Sequence, residues 1–259
     1  MRINLIIGLW ILTRCTVSLA QGTGIDPYAD AKSGNKIFNF QFNYTYQIPE
    51  GDLALRFGTL HQVGAGVNLK TRNHWYFALQ ANYQFGYTVE EPGLFYFLTN
   101  SSGYITNTGG YPATYYLSQR GMSGIISAGR LLPLSLTNRN SGILVMVGGG
   151  YLLHKINIAS PSNDIPTLTD ELKRGYDRLT GGYALHQFVG YYFQSANRYF
   201  NFYVGVDFTQ AFTKSFRGYN YDQRAIDNAT RFDATNGLRV GWMIPIYLAT
   251  KDEDEFDFK

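Results

Sequence analysis

Histidine and aspartate share protons most readily near neutral pH, and the chain places one of each on adjacent apolar-alternating segments, at His186 and Asp207. If Ala196-Asn197 forms a two-residue hairpin turn, facing residues have numbers that sum to 393, and His186 lies opposite Asp207. The same register sets Phe208 against Leu185, Val204 against Val189, Phe202 against Tyr191 and Phe200 against Phe193 on one face. On the other face it sets Gly205 against Phe188 and Gly190 against Tyr203, small against large. A carboxylate opposite an imidazole favours the charged ring and could orient a base for hydrolysis. The pair would serve equally as polar filler for a barrel interior, with Arg239 as counter-charge, and that reading is preferred. His61 and His154 offer a second arrangement, near one rim with Ser118, Ser123, Ser160 and Ser162, as in a lipid-modifying barrel enzyme. His74 falls in a short turn.

The elements that must hold these residues show plainly at 37–48, IFNFQFNYTYQI. Phe38, Phe40, Phe42, Tyr44, Tyr46 and Ile48 share one face; Asn39, Gln41, Asn43, Thr45 and Gln47 share the other. That is a strand with an aromatic side and a polar but uncharged side. Water-facing strands normally carry charge, so the pattern suits lipid outside and a hydrogen-bonded plug inside, with Asn39, Gln41 and Asn43 in the plug. Eight strands follow this logic, at 37–48, 59–70, 74–88, 114–132, 142–157, 181–194, 199–215 and 236–248. Ile125-Ile126 and Ile143 to Val147 are apolar on both sides, which leaves the facing of strands four and five open.

Connections alternate in length: short after strands two, four and six, longer at 49–58, 89–113, 158–180 and 216–235. Outer-membrane barrels have short periplasmic turns, long outer loops and an even strand count, which puts both termini in the periplasm. Aromatics sort to match. Phe38, Trp75, Tyr191, Phe193, Phe200, Trp242 and Tyr247 fall at the turn end; Tyr44, Tyr46, Phe85, Tyr151, Tyr183 and Phe212 fall at the loop end.

Residues 1–20 read as an export signal: Arg2, an apolar run from Leu5 to Leu12, and small residues before Gln21. A polar leader (21–36), the barrel (37–248) and an acidic tail (249–259) follow. The single cysteine, Cys15, lies in the signal, so the mature chain has no disulfide or thiol chemistry. Aromatics at 16%, charged residues at 16% and 28 glycines fit the barrel class. The formal charge of +3 is spread rather than striped, which excludes a nucleic-acid footprint. No metal or nucleotide motif occurs, and no cofactor is expected; Gly148-Gly149-Gly150 lies within a strand and reads as close packing.

At this point the chain resembles the small eight-stranded outer-membrane β-barrels of Gram-negative bacteria, the OmpA and OmpX type. It looks closer still to an uncharacterised Bacteroidota barrel family, through GDLALRFG (51–58), KTRNHWYFALQANYQFG (70–86), LKRGYDRLTGGYALHQFVGYYF (172–193) and RVGWMIPIY (239–247). The resemblance implies fold and location and brings no activity.

The expected architecture is therefore an all-β, eight-stranded antiparallel up-and-down transmembrane barrel with a filled interior. Its expected role is structural or interactive, through long outer loops or as an accessory subunit of an envelope complex. The alternatives are an outer-leaflet lipid A-modifying enzyme using His61, His154 or His186, and a narrow gated channel. Expected partners are outer-membrane lipid or lipopolysaccharide and other envelope proteins. Arg174, Tyr176, Arg178, Arg217, Tyr219 and Tyr221 are the loop residues that would bind them.

Overall fold

A strand that alternates rings with amides buries its amides here. In the computed structural model Asn39, Gln41, Thr45 and Gln47 are at most 1% exposed, whereas Phe40, Phe42, Tyr44, Tyr46 and Ile48 are 41–54% exposed. The polar face is the inside. Such an inversion is stable only where something other than water covers the apolar side.

The structure describes residues 36–134, 138–161, 165–195 and 200–247. The expected export signal, nearly all of the expected leader, Ser162, the expected turn at Ala196-Asn197 and the acidic tail lie outside these. The described elements are β1 (Ile37–Gly51), β2 (Leu60–Lys70), β3 (Trp75–Gly86), a 3-10 turn (Tyr96–Leu98), β4 (Tyr116–Pro133) and β5 (Gly142–Ala159). Then come α1 (Asp170–Tyr176), β6 (Thr180–Gln194), β7 (Asn201–Ser215), a ribbon of β8 (Tyr219–Asn220) with β9 (Ala225–Ile226), and β10 (Thr230–Tyr247). Eight strands close into an antiparallel barrel in the order β1-β10-β7-β6-β5-β4-β3-β2, each paired with its sequence neighbour and β10 with β1. No helix among the described residues is long and apolar enough to cross a membrane, so any crossing falls to the strands.

Burial resolves the open facing of two strands. In β4 the inward residues are odd-numbered (Gln119, Gly121, Ile125, Ser127, Leu131), and in β5 they are even-numbered (Leu144, Met146, Leu152, His154, Ile156). Two expectations are corrected. The last barrel strand begins at Thr230 rather than 236, and the β6–β7 register sums to 395 rather than 393, ending on Gln194 opposite Asn201. His186 therefore faces Thr209, Asp207 faces Phe188, and Gly190 faces Gly205. Gln194 Nε2 and the Ser195 amide both donate to Asn201 Oδ1, at 3.0 and 2.9 Å, which closes the pairing there. A shift of two leaves every side chain on its own face.

The interior is layered. Nearest the short turns, Tyr76, Leu131, Leu144, Met146, Phe188, Tyr192, Tyr203 and Met243 form an apolar stopper. Gly190 and Gly205 face each other under the Phe188 ring, where a Cβ on either would strike the opposite backbone. Polar side chains fill the middle. At the loop end Leu53, Phe57, Leu60, Leu94, Phe95, Ile105, Ile156, Ile158, Ile165, Leu168 and Tyr176 pack into a lid. Within the lid α1 is capped by Thr169, whose hydroxyl accepts from the Leu172 amide at 3.3 Å. Asp170 and Glu171 sit in its first turn and Lys173 and Arg174 in its last.

Candidate functional site

The middle layer is organised around Asp207. Its Oδ2 lies 2.7 Å from His186 Nε2 and 3.0 Å from Arg239 Nη2. Across the corrected register these residues are diagonal neighbours rather than facing ones, a separation long side chains span. Arg239 also donates from Nε to Thr45 Oγ1, its cross-strand partner on β1, and from Nη1 across the lumen to Gln80 Oε1 of β3, each at 3.0 Å. On the far side of the His186 ring Nδ1 lies 3.3 Å from the Ser127 hydroxyl, while Arg239 Nη1 stands 3.3 Å from Nε2 beside the carboxylate. Gly148 lies between Ser127 and His186 in the cross-strand row, and a Cβ there would meet Ser127 Oγ. Hydroxyl, imidazole and carboxylate thus stand in the order of a nucleophile triad. All three are at most 2% exposed, and His186 alone of them lines a small cavity of about 10 Å³, room for about one water.

Of the remaining polar candidates, Asn39 and Gln41 lie nearer the short turns, against the tyrosines of the stopper. Asn39 Nδ2 donates to Asn68 Oδ1 at 2.7 Å and to the Tyr192 hydroxyl at 3.2 Å; Gln41 Oε1 accepts from Asn68 and Tyr76 at 2.8 and 3.2 Å; Asn43 is buried. Sequence reading missed a second histidine–aspartate pair nearer the lid. His154 Nε2 lies 2.8 Å from Asp233 Oδ2, which also accepts from Thr213 Oγ1 at 2.6 Å, and Phe57 packs edge-on to the ring. Asp233 belongs to the six residues by which β10 exceeds its expected start, so its inward facing was not considered.

His61 points the other way. It sits on the outward face with Tyr44 hydroxyl 2.7 Å from its Nδ1, among the rings of Tyr46 and Phe85. The three candidate histidines therefore occupy three separate surroundings.

The loop candidates divide similarly. Tyr176 is buried in the lid, and burial pushes its hydroxyl pKa up. Arg178 is buried and paired with Asp222 and with Glu91 at 3.0 Å, and Arg56 holds Glu91 at 3.2 Å. Burial pushes the Glu91 carboxyl up against the pull of Arg178 and Arg56. Arg217 grips Asp177 through Nε and Nη2 at 2.9 and 2.6 Å, which raises its own pKa. Arg231 grips Asp227 at 2.5 Å; burial raises that carboxyl, but the bonds from Arg231 and Asn220 outweigh it and hold it below the usual range. Arg174, Tyr219 and Tyr221 are exposed. Of the acids that neutralise these arginines, Glu91 was not singled out from sequence. Among the described residues no group of three or more histidines, cysteines or acids could hold a metal ion.

No family model matches the chain, and no curated protein matches it in sequence. Solved structures that overlap it include the attachment invasion locus protein Ail of Yersinia pestis, at 9% identity over 81% of this chain and 99% of that one, TM-score 0.40. A major outer membrane protein from Thermus thermophilus gives 9% identity over 80% and 98%, TM-score 0.40. The outer membrane protein OprG from Pseudomonas aeruginosa gives 11% over 82% and 96%, TM-score 0.36. These overlaps are loose, and the barrel assignment rests on the closed strand pairing of the chain itself.

Proposed function

We propose that the chain is an integral outer-membrane barrel that acts through its outer surface rather than through a pore. On this reading it is a structural or interaction protein, or an accessory subunit of an envelope complex. One observation carries the proposal: the barrel is apolar and aromatic outside, polar inside, and stoppered at both ends by side chains. In this reading residues 1–20 direct export, the short turns face the periplasm, the lid faces outward, and the Bacteroidota likeness of its segments marks its envelope context.

A filled eight-stranded lumen favours no solute flux, whereas an aqueous channel needs about twice as many strands. The Ser127–His186–Asp207 contact favours an enzyme reading in type but not in access. Arg239 neutralises the carboxylate, and the stopper and lid separate the hydroxyl from any lipid. We read the group as a structural tie. Two measurements test this. The processed chain should need detergent to fold and should give no single-channel steps in planar bilayers. Stable folding in buffer alone would end the membrane reading; steady conductance would end the sealed-lumen reading. Unchanged lipid A acylation in strains with and without the protein would separate this reading from the enzyme.

A further inference from the structure

Two cations face each other on the apolar side of the barrel. Arg120 of β4 and Lys155 of β5 are cross-strand partners on the outward face. Like charges directly opposite in a sheet repel. Arg120 reaches only the Gln119 carbonyl at 2.8 Å and the Tyr87 ring at 5.7 Å, and neither cation has an ion pair among the described residues. The register row continues through Phe85 to His61 on one side. On the other side Lys155 lines a cleft of about 260 Å³ between β5 and α1, together with Lys173, Arg174 and Arg217. Asp170 and Asp177 answer Lys173 and Arg217, which leaves Lys155 and Arg174 in excess.

Along the same outward face, four residues or about 13 Å towards the barrel middle, Arg120 leads to Gly124. Nothing stands within 4 Å of where a Cβ on Gly124 would lie, and its row continues through Ala81 and Ala65. The result is a shallow trough between the Phe42 and Tyr151 rings, with the exposed Met122 between trough and cations. A cation pair at the head of an apolar trough matches an anionic headgroup joined to an acyl chain.

We propose that Arg120 and Lys155 bind a phosphate of an acylated, phosphorylated sugar lipid of the outer leaflet, with an acyl chain lying over Gly124, Ala81 and Ala65. The inference rests on the membrane reading above and names the lipid that the surface takes. The phosphate supplies the charge the row lacks, through charge-assisted bonds to both side chains.

The test uses the full processed chain, folded in detergent micelles, stripped of lipid, and offered bisphosphorylated lipid A or its dephosphorylated form, with native mass spectrometry as readout. Retention of the phosphorylated lipid should exceed that of the other by about tenfold or more, the scale of two charge-assisted bonds. Arg120→Gln with Lys155→Gln should remove the difference. Arg130→Gln, an outward cation over Trp75 at the short-turn end, should keep it. Equal retention of both lipids by the wild type would overturn the proposal without any variant, as would a double variant that still discriminates. Displacement by inorganic phosphate as effective as by the lipid would mark a free-anion site and overturn the lipid assignment. Folding without detergent is a separate outcome, and it would strike the membrane reading instead.

Discussion

The Asp207 layer and the lid crust are built from the same side chains, carboxylates held by arginines and histidines, yet they sit in different media. Asp207, His186 and Arg239 lie inside a barrel where every partner is another buried side chain. The lid pairs range from the buried Arg178–Asp222 contact to Lys173–Asp170, whose aspartate side chain is 95% exposed. Desolvation makes the first region costly to break, because removing one partner strands the others without water. Solvent compensates in the second, so its bonds shape the lid more than they hold the barrel.

The largest test of this contrast is Asp207→Ala. Loss of a carboxylate shared by a buried guanidinium and imidazole should cost about 3–5 kcal/mol, read as earlier unfolding in unboiled gels across a temperature series. Arg178→Ala should cost about 1–3 kcal/mol by leaving Asp222 without its arginine and Glu91 with Arg56 alone. Its effect should appear as faster protease nicking of the loops while the barrel stays folded; equal barrel loss in both variants would erase the distinction. Ser127→Ala should cost about 1 kcal/mol, a single neutral hydrogen bond, and leave loop proteolysis unchanged.

A pH series sharpens the lid side. The folded Asp227 carboxyl lies below its unfolded value, so the unfolded loop binds the proton more tightly. Its contribution is complete above the ordinary carboxylate range, about 4, and disappears as the pH falls through the depressed folded value. Loop nicking should therefore rise in acid, and Asp227→Asn should flatten that rise; an unaltered acid profile would exclude this clasp. The smallest expected effect is Lys173→Ala, about 0.5 kcal/mol or less, within error in both assays.

How far the interior could be read in advance varied by strand. β1, β3 and β10 alternate so cleanly that their buried faces were legible, including Arg239. Ser127 was not, because Ile125-Ile126 precede it and either face was acceptable on hydrophobicity alone. The His186–Asp207 contact was anticipated from a register two residues out, and survived because the error was even and the side chains are long. Asp233 was assigned to a loop, since polar residues beyond the hydrocarbon band carry no alternation strong enough to mark a strand.

The order of side chains alone determined the strand period, the number of barrel strands and, for all but β4 and β5, the aromatic and polar sides, since alternation and turn spacing are local properties of the chain. Closure decided the rest. Which amide meets which hydroxyl across the lumen, which arginine finds an acid and which two cations are left facing each other depend on register and stagger. Those are fixed only when all eight ladders must join at once.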